Sequence, residues 1–169
     1  IRLVELNPNV LDFRISLGRI YIDLYNTYGL EEFSAEAVNV LQQAANLTKQ
    51  PSLMLYKYYA TALLNDGNQS GLEKVLLSYH NAWQQEKDYG HGISIGALSG
   101  QAKLYPLAIE SLKSAIDQRP ELFDADIELA RIYQSMNQPE DSLSILNRAY
   151  NRGGSKSLEV LKHFSQALA

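Results

Sequence analysis

Apolar residues recur along the chain at spacings of three and four, the pattern of a helix that buries one face. Short polar segments, several with glycine or proline, separate these stretches and mark helix ends. The pattern therefore predicts an all-α protein with nine helices and no strand. The helices are predicted over residues 10–27, 33–47, 52–65, 70–87, 90–102, 105–118, 122–136, 139–151 and 156–168.

Two segments of the chain, 93–120 and 127–154, match at an offset of 34 residues. Small residues match small ones and large apolar residues match large ones, so that two helices could approach closely beside filled space. Fixed-period similarity of this kind indicates a repeat architecture. The matched pairs are Ile93 with Ile127, Gly96 with Ala130, Ala108 with Ser142, Leu112 with Leu146, Ala115 with Ala149, and Pro120 with Gly154.

The repeated segments resemble the tetratricopeptide repeat, a helix–turn–helix unit of 34 residues. The segment "LARIY" supplies Leu129, Ala130 and Tyr133 in the spacing of the family's first helix, and "LGRIY" supplies Leu17, Gly18 and Tyr21. The resemblance implies a right-handed superhelical solenoid of about four repeats plus a C-terminal cap helix.

The earlier repeats are less regular than the last two. In the first repeat, Ala37, Leu41 and Ala44 fill the second-helix positions, and the turn between its helices is predicted to be about seven residues longer than the family norm. In the second repeat, Ala62 is assigned the small-residue position. Its second-helix positions are assigned to Val75, Tyr79 and Ala82.

The whole chain, 1–169, is predicted to be a single repeat domain, with repeats over roughly 10–50, 51–87, 88–121 and 122–155. Residues 156–169 form either a cap helix or the first helix of a further repeat. Residues 1–9, which include Pro8, are interpreted as the tail of a preceding repeat. The chain is accordingly expected to belong to a longer protein.

Composition narrows the classes of function. The hydrophobic fraction of 46% and the charged fraction of 20% are those of a globular protein. A net charge of -4 gives no bulk electrostatic attraction to nucleic acid or to an anionic membrane. The absence of cysteine excludes a disulfide framework and a thiolate metal site. No apolar run is long enough to span a bilayer, and both a cytoplasmic and a bacterial periplasmic location stay open.

Candidate chemistry is sparse. His80, His91 and His163 are isolated from one another and are interpreted as surface or partly packed side chains. Asp124, Asp126 and Glu128 lack the glycine and distal glutamate of a calcium loop, and acidic residues in a first helical turn suit the helix dipole. No metal, cofactor or catalytic site is predicted.

The cluster of glycines and the high number of tyrosines are explained better by helix packing than by a ligand site. Four glycines lie between Gly90 and Gly100 without the lysine or the preceding strand of a phosphate loop, so close helix packing is favoured over a ligand site. Most of the 11 tyrosines are expected to pack between helices, and the remainder to lie on a binding surface.

The resemblance implies that the stacked first helices line a concave groove for a peptide or helical segment of a protein partner. Ile15 and Ile93 stand where the family's carboxylate clamp would need polar residues, so apolar anchors helped by Arg contacts are expected. The alternative is a structural spacer or a self-associating section of a larger protein. The predicted groove residues are Ile15, Arg19, Ile22, Tyr56, Tyr59, Ile93, Ala97, Gln101, Ile127, Arg131 and Gln134.

Overall fold

A computed structural model describes residues 11–153 and 157–167, apart from the side chains of Leu158 and Ala167. Over these residues the chain forms nine α-helices and no strand. The helices are α1 Leu11–Tyr28, α2 Glu31–Asn46, α3 Leu53–Asn65, α4 Gln69–Glu86, α5 Tyr89–Gln101, α6 Tyr105–Gln118, α7 Asp124–Ser135, α8 Pro139–Asn151 and α9 Leu158–Ala167.

The all-α prediction is confirmed, and each described helix begins and ends within two residues of its predicted bounds. The predicted tail over 1–9, and the residues Gly154 and Leu168, lie outside the described residues. The chain divides into two compact bodies, an N-terminal body up to Ala82 and a C-terminal body from Trp83.

The N-terminal body is built on close contact between α1 and α2. A Cβ atom placed on Gly18 would collide with the side chain of Leu41, which is fully buried. Glycine is therefore required at this crossing because any larger residue would push the helices apart. The core of this body contains Ile22, Ala37, Leu41, Ala44, Leu55 and Ala62.

The C-terminal body repeats the same contact. A Cβ atom on Gly96 of α5 would collide with Leu112 of α6, so Gly96 and Leu112 correspond to Gly18 and Leu41. The matched small residues of the sequence repeat, including Ala108, Ala115 and Ala149, are also fully buried. The contact of Gly96 with Leu112 agrees with the register predicted for the third repeat, and the corresponding residues of the fourth, Ala130 and Leu146, are also buried.

A shared turn joins the two helices of three repeats. The second residue after the helix adopts a left-handed conformation, at Gly67, Lys103 and Asn137. The next N–H then donates back to a carbonyl five residues earlier, as Leu104 does to Ser99 at 2.8 Å and Gln138 does to Tyr133 at 2.9 Å. This pairing is the Schellman motif, which satisfies the last carbonyls of a helix and favours glycine at the left-handed position.

Lys103 is the least suited of the three turn residues because a side chain disfavours the left-handed region by about 1–2 kcal/mol. We expect Lys103→Gly to raise the free energy of unfolding by up to about 1 kcal/mol, since glycine's larger unfolded-state entropy offsets part of the gain. Urea denaturation measures the difference. Lys113→Gly, an exposed position inside α6, is the control and should instead destabilise the protein by about 1 kcal/mol. Destabilisation by Lys103→Gly would contradict the assigned turn.

The prediction of a long turn in the first repeat is wrong. Only Gly29 and Leu30 separate α1 from α2, and the additional residues lie within the helices. Helix α1 continues for ten residues after Gly18, whereas α5 continues for five after Gly96. Helix α2 likewise begins six residues before Ala37, whereas α6 begins three before Ala108.

The predicted register of the second repeat is also wrong. When the turns at Gly67 and Lys103 are matched, Ala60 corresponds to Gly96, so the small-residue position falls two residues before Ala62. Both alanines are fully buried, which is why their size could not distinguish them. On α4 the buried residues are Leu72, Leu76, Tyr79, His80 and Trp83. Val75 and Ala82 are only half-buried.

Candidate functional site

In the C-terminal body, one face of α5 carries three of the predicted groove residues at spacings of four. Ile93 and Ala97 are half-buried, and Gln101 is exposed. Ile93 also packs against the core of this body. Residues four apart lie one above the other on a helix, so these three form a row that is apolar at one end and polar at the other.

Helix α7 carries a second row, made of Ile127, Arg131 and Gln134. Ile127 is only 4% exposed and belongs to the core, whereas Arg131 and Gln134 are exposed. Of the two predicted rows in this body, α5 therefore presents the apolar side chains and α7 presents the polar ones.

Arg131 has two neighbours. Its Nη1 atom donates to Oε2 of Glu128 at 2.9 Å, and its Nη2 atom lies 3.4 Å from Nε2 of His163 on α9. Because a guanidinium can only donate, Nε2 of His163 acts as the acceptor when the ring is neutral. Burial, and then the positive charge of Arg131, hold the pKa of His163 below its ordinary value.

Arg131 and His163 are 32 residues apart, and no sequence motif links them. From the sequence alone, His163 is interpreted as an isolated histidine. The repeat period was the signal that could have found the contact, since it places α9 34 residues after α7. The site places an arginine beside a histidine whose pKa is held below its ordinary value.

The contact can be tested through the titration of His163. We expect Arg131→Ala to raise the pKa of His163 towards its ordinary value, because a neighbouring positive charge disfavours the imidazolium. Proton NMR of the imidazole ring measures this pKa. Arg148→Ala, an exposed arginine on α8, is the control and should leave the titration unchanged. An unchanged pKa in Arg131→Ala would show that the two side chains are not in contact.

In the N-terminal body, α1 carries Ile15, Arg19 and Ile22. Ile15 is half-buried, Arg19 is exposed, and Ile22 is only 5% exposed and lies in the core. On α1, therefore, an exposed arginine lies one helical turn after a half-buried isoleucine.

The two tyrosines assigned to the groove in the second repeat face inward. The ring of Tyr56 stacks on that of Tyr79 of α4, with 6.0 Å between their centroids, and Tyr59 packs against the core. In the register fixed by the turns, Lys57 and Thr61 correspond to Ile93 and Ala97. The side chains at the positions predicted to line the groove are therefore more polar in this repeat than the sequence analysis expects.

The glycine-rich segment is accounted for by packing at three of its four glycines. A Cβ atom on Gly92 would lie 2.7 Å from Cζ2 of Trp83, and one on Gly100 would collide with Cδ1 of Ile132. Gly96 meets Leu112 as described above. Gly90 alone is open, with only Oδ1 of Asp88 at 3.4 Å.

The three acidic side chains at the start of α7, Asp124, Asp126 and Glu128, do not form a common site. Asp126 is fully buried, and its Oδ2 atom accepts from Nη2 of Arg152 at 2.5 Å. Burial raises the pKa of Asp126, and the charge of Arg152 opposes that rise. Glu128 pairs with Arg131. Among the described residues, no three potential metal-ligand side chains of His, Cys, Asp or Glu lie close enough together to hold an ion.

A cleft of about 440 Å³ lies between α8 and α9, lined in part by Leu143, Asn147 and Phe164. It is on the second-helix side of the repeat and shares no lining residue with the predicted groove. Within the described part of the chain, no helix has the length and apolar character needed to cross a membrane.

Comparison with known proteins identifies the fold. MamA aligns with a TM-score of 0.70 over 92% of this chain and 85% of its own, at 15% sequence identity. YrrB, described as a TPR protein with an unusual peptide-binding site, aligns with a TM-score of 0.67 over 94% of this chain and 76% of its own, at 16% identity. No protein-family model matches the sequence, and no curated protein does so either. The tetratricopeptide fold predicted from the repeats is confirmed.

Proposed function

We propose that this chain is a protein-interaction module, and that the first helices of its C-terminal body bind an extended or helical segment of a partner protein. The observation that carries the proposal is the pairing of rows on α5 and α7. Ile93 and Ala97 offer partly exposed apolar surface, beside the exposed side chains of Gln101, Arg131 and Gln134.

Each group supplies a distinct kind of contact. The guanidinium of Arg131 can donate charge-assisted hydrogen bonds to an acidic side chain or a terminal carboxylate. The amide groups of Gln101 and Gln134 can both donate and accept, as the backbone of an extended segment requires. Apolar anchors beside polar positioning groups are typical of peptide-recognition grooves. The peptide-binding site described for YrrB supports this use of the fold.

Substitutions at exposed residues test binding better than substitutions in the core, because they leave the protein folded. Ile22 and Ile127 are in the cores of their bodies, so a polar substitution at either would unfold the protein before it tested binding. The parts proposed for Ile15, Arg19, Tyr56 and Tyr59 stay predictions for the N-terminal body.

The test begins with peptide display on the immobilised protein, followed by calorimetric titration of the selected peptides. We expect Arg131→Glu combined with Gln101→Glu to weaken binding by about tenfold or more, which corresponds to roughly 1.4 kcal/mol. Lys113→Glu, exposed on the second helix α6, is the matched control and should bind as the wild type does.

Selected peptides that bind the double variant as tightly as the wild type would overturn the proposal. Selection of no peptide, together with concentration-dependent dimers in light scattering, would favour the alternative of a structural, self-associating section.

A further inference from the structure

The first repeat has a helical hairpin that is longer than those of the other repeats. Its α1 extends ten residues beyond the crossing residue Gly18, whereas α5 extends five beyond Gly96. At a rise of 1.5 Å per residue the difference adds roughly 7 Å to the helix. We call residues 24–36, which comprise the end of α1, the turn and the start of α2, the hairpin tip.

The base of the hairpin tip is held by packing. The rings of Tyr21 and Phe33 stack with their centroids 6.3 Å apart, and Ser34 is buried. The hydroxyl of Ser34 donates to the carbonyl of Glu31 at 2.9 Å. The extension is therefore ordered by contacts between α1 and α2.

Two large apolar side chains at the end of the hairpin tip have no such cover. Tyr28 is 65% exposed and Leu30 is 50% exposed, on either side of Gly29. Single exposed apolar residues are common on protein surfaces. Here two of them flank one tight turn, so they offer a single apolar anchor point.

The charge around this anchor has one sign. Residues 20–47 contain four acidic and no basic residues, whereas the rest of the chain contains 15 of each. The segment 20–47 therefore carries a net charge of -4, which equals the formal net charge of the whole protein. Its acidic residues are Asp23, Glu31, Glu32 and Glu36.

Helix stability explains only part of this charge. Glu31 and Glu32 lie in the first turn of α2, where the helix dipole favours acidic groups. Asp23 lies in the C-terminal half of α1, where the dipole does not favour it. Among the described residues, no lysine or arginine forms an ion pair with any of the four acidic residues.

We propose that the hairpin tip is a docking surface for a basic protein segment that carries an apolar anchor residue. Lysine or arginine side chains of the partner would meet the unpaired carboxylates, which steers association and fixes orientation. An apolar side chain of the partner would cover Tyr28 and Leu30, which supplies affinity. This surface is separate from the rows on α5 and α7 and does not depend on the proposed function.

The test uses the full chain, isotope-labelled for NMR, and a synthetic helical peptide of about 14 residues with lysines on one face and leucines on the other. We expect amide shift changes confined to residues 24–36 and their helical neighbours. Tyr28→Ser with Leu30→Ser should weaken binding by about tenfold. Glu31→Lys with Glu32→Lys should weaken it by a similar factor, and added salt should weaken binding to the wild type.

Matched controls distinguish binding of the peptide at the hairpin tip from nonspecific binding elsewhere on the protein surface. Leu77→Ser removes an equally exposed apolar side chain, 49% exposed on α4, and should leave binding unchanged. A peptide with glutamate in place of lysine should not bind. Circular dichroism melting of each variant checks that it is folded. Shift changes spread over the surface, or tip variants that bind as the wild type does, would overturn the proposal.

Discussion

Arg152→Ala is expected to lower the free energy of unfolding by about 3 kcal/mol, because it leaves the buried carboxylate of Asp126 without its charged partner. Asp126 is fully buried, and Arg152, whose side chain is 25% exposed, contacts its Oδ2 atom at 2.5 Å. The other carboxylate oxygen, Oδ1, has no hydrogen-bond partner. Arg152 is thus the main group that offsets the cost of burying this charge.

The stability lost in Arg152→Ala should be smaller at low pH than at high pH. The pKa of Asp126 is already raised in the folded protein, so the folded state holds its proton more tightly than the unfolded state does. Without Arg152 this pKa rises further, because the opposing charge is gone. The loss of stability in Arg152→Ala should therefore be complete above the pKa that Asp126 has in the variant. It should shrink as the pH falls from that value towards the pKa of Asp126 in the wild type.

Urea denaturation at several pH values measures the deficit. Arg148→Ala is the comparison variant, since Arg148 lies one helical turn earlier on α8, is exposed, and forms no ion pair with Asp126 among the described residues. The charge of Arg148 also lowers the pKa of Asp126, but less than Arg152 does. Arg148→Ala should cost less than about 1 kcal/mol. Equal effects of the two substitutions, or a deficit at Arg152 that does not change with pH, would contradict a buried ion pair.

Gly96→Ala is expected to destabilise the protein by about 1–3 kcal/mol, through overpacking of the crossing between α5 and α6. An added Cβ would lie 2.7 Å from Cδ2 of Leu112 and closer still to its Cγ. Leu112 is fully buried, so it cannot turn away into solvent. Alanine is the better helix former by about 1 kcal/mol, and the steric cost must exceed that gain.

The same substitution elsewhere in α5 gives the control. Gly90→Ala adds a Cβ that meets only Oδ1 of Asp88 at 3.4 Å, so it should leave stability unchanged or raise it by up to about 1 kcal/mol. Thermal melting of both variants makes the comparison. If Gly96→Ala is as stable as Gly90→Ala, the close crossing of α5 and α6 is wrong.

The sequence predicted the fold well where residue size alone determines the contact. Gly18, Gly96 and Ala130 have few alternatives as crossing residues, since each is followed at the right spacing by a large residue that fills the space beside it. The predicted register of the second repeat was wrong because Ala60 and Ala62 are both small, and because Tyr79 occupies the position that Ala115 has in the third repeat. Only the left-handed turn at Gly67 fixes that register.

The other incorrect predictions failed because they depend on contacts and helix lengths that the periodicity of the sequence does not determine. Seven additional residues in the first repeat are close to two turns of helix, so they extend α1 and α2 without changing which face is buried. A residue count alone could not distinguish this from a longer turn. The burial of Asp126 depends on Arg152, which lies 26 residues away, and a local pattern of charges suggested only a helix dipole. Ile22 and Ile127 share the groove periodicity, but neighbouring helices cover them.

The central claim is that the first helices of the C-terminal body bind a partner segment. It is tested most directly by NMR of the isotope-labelled protein, titrated with a peptide selected by display. We expect amide shift changes at Ile93, Ala97, Gln101, Arg131 and Gln134, and none at the exposed residues of α6 and α8. Shift changes centred on α6 and α8, or on the cleft between α8 and α9, would contradict it.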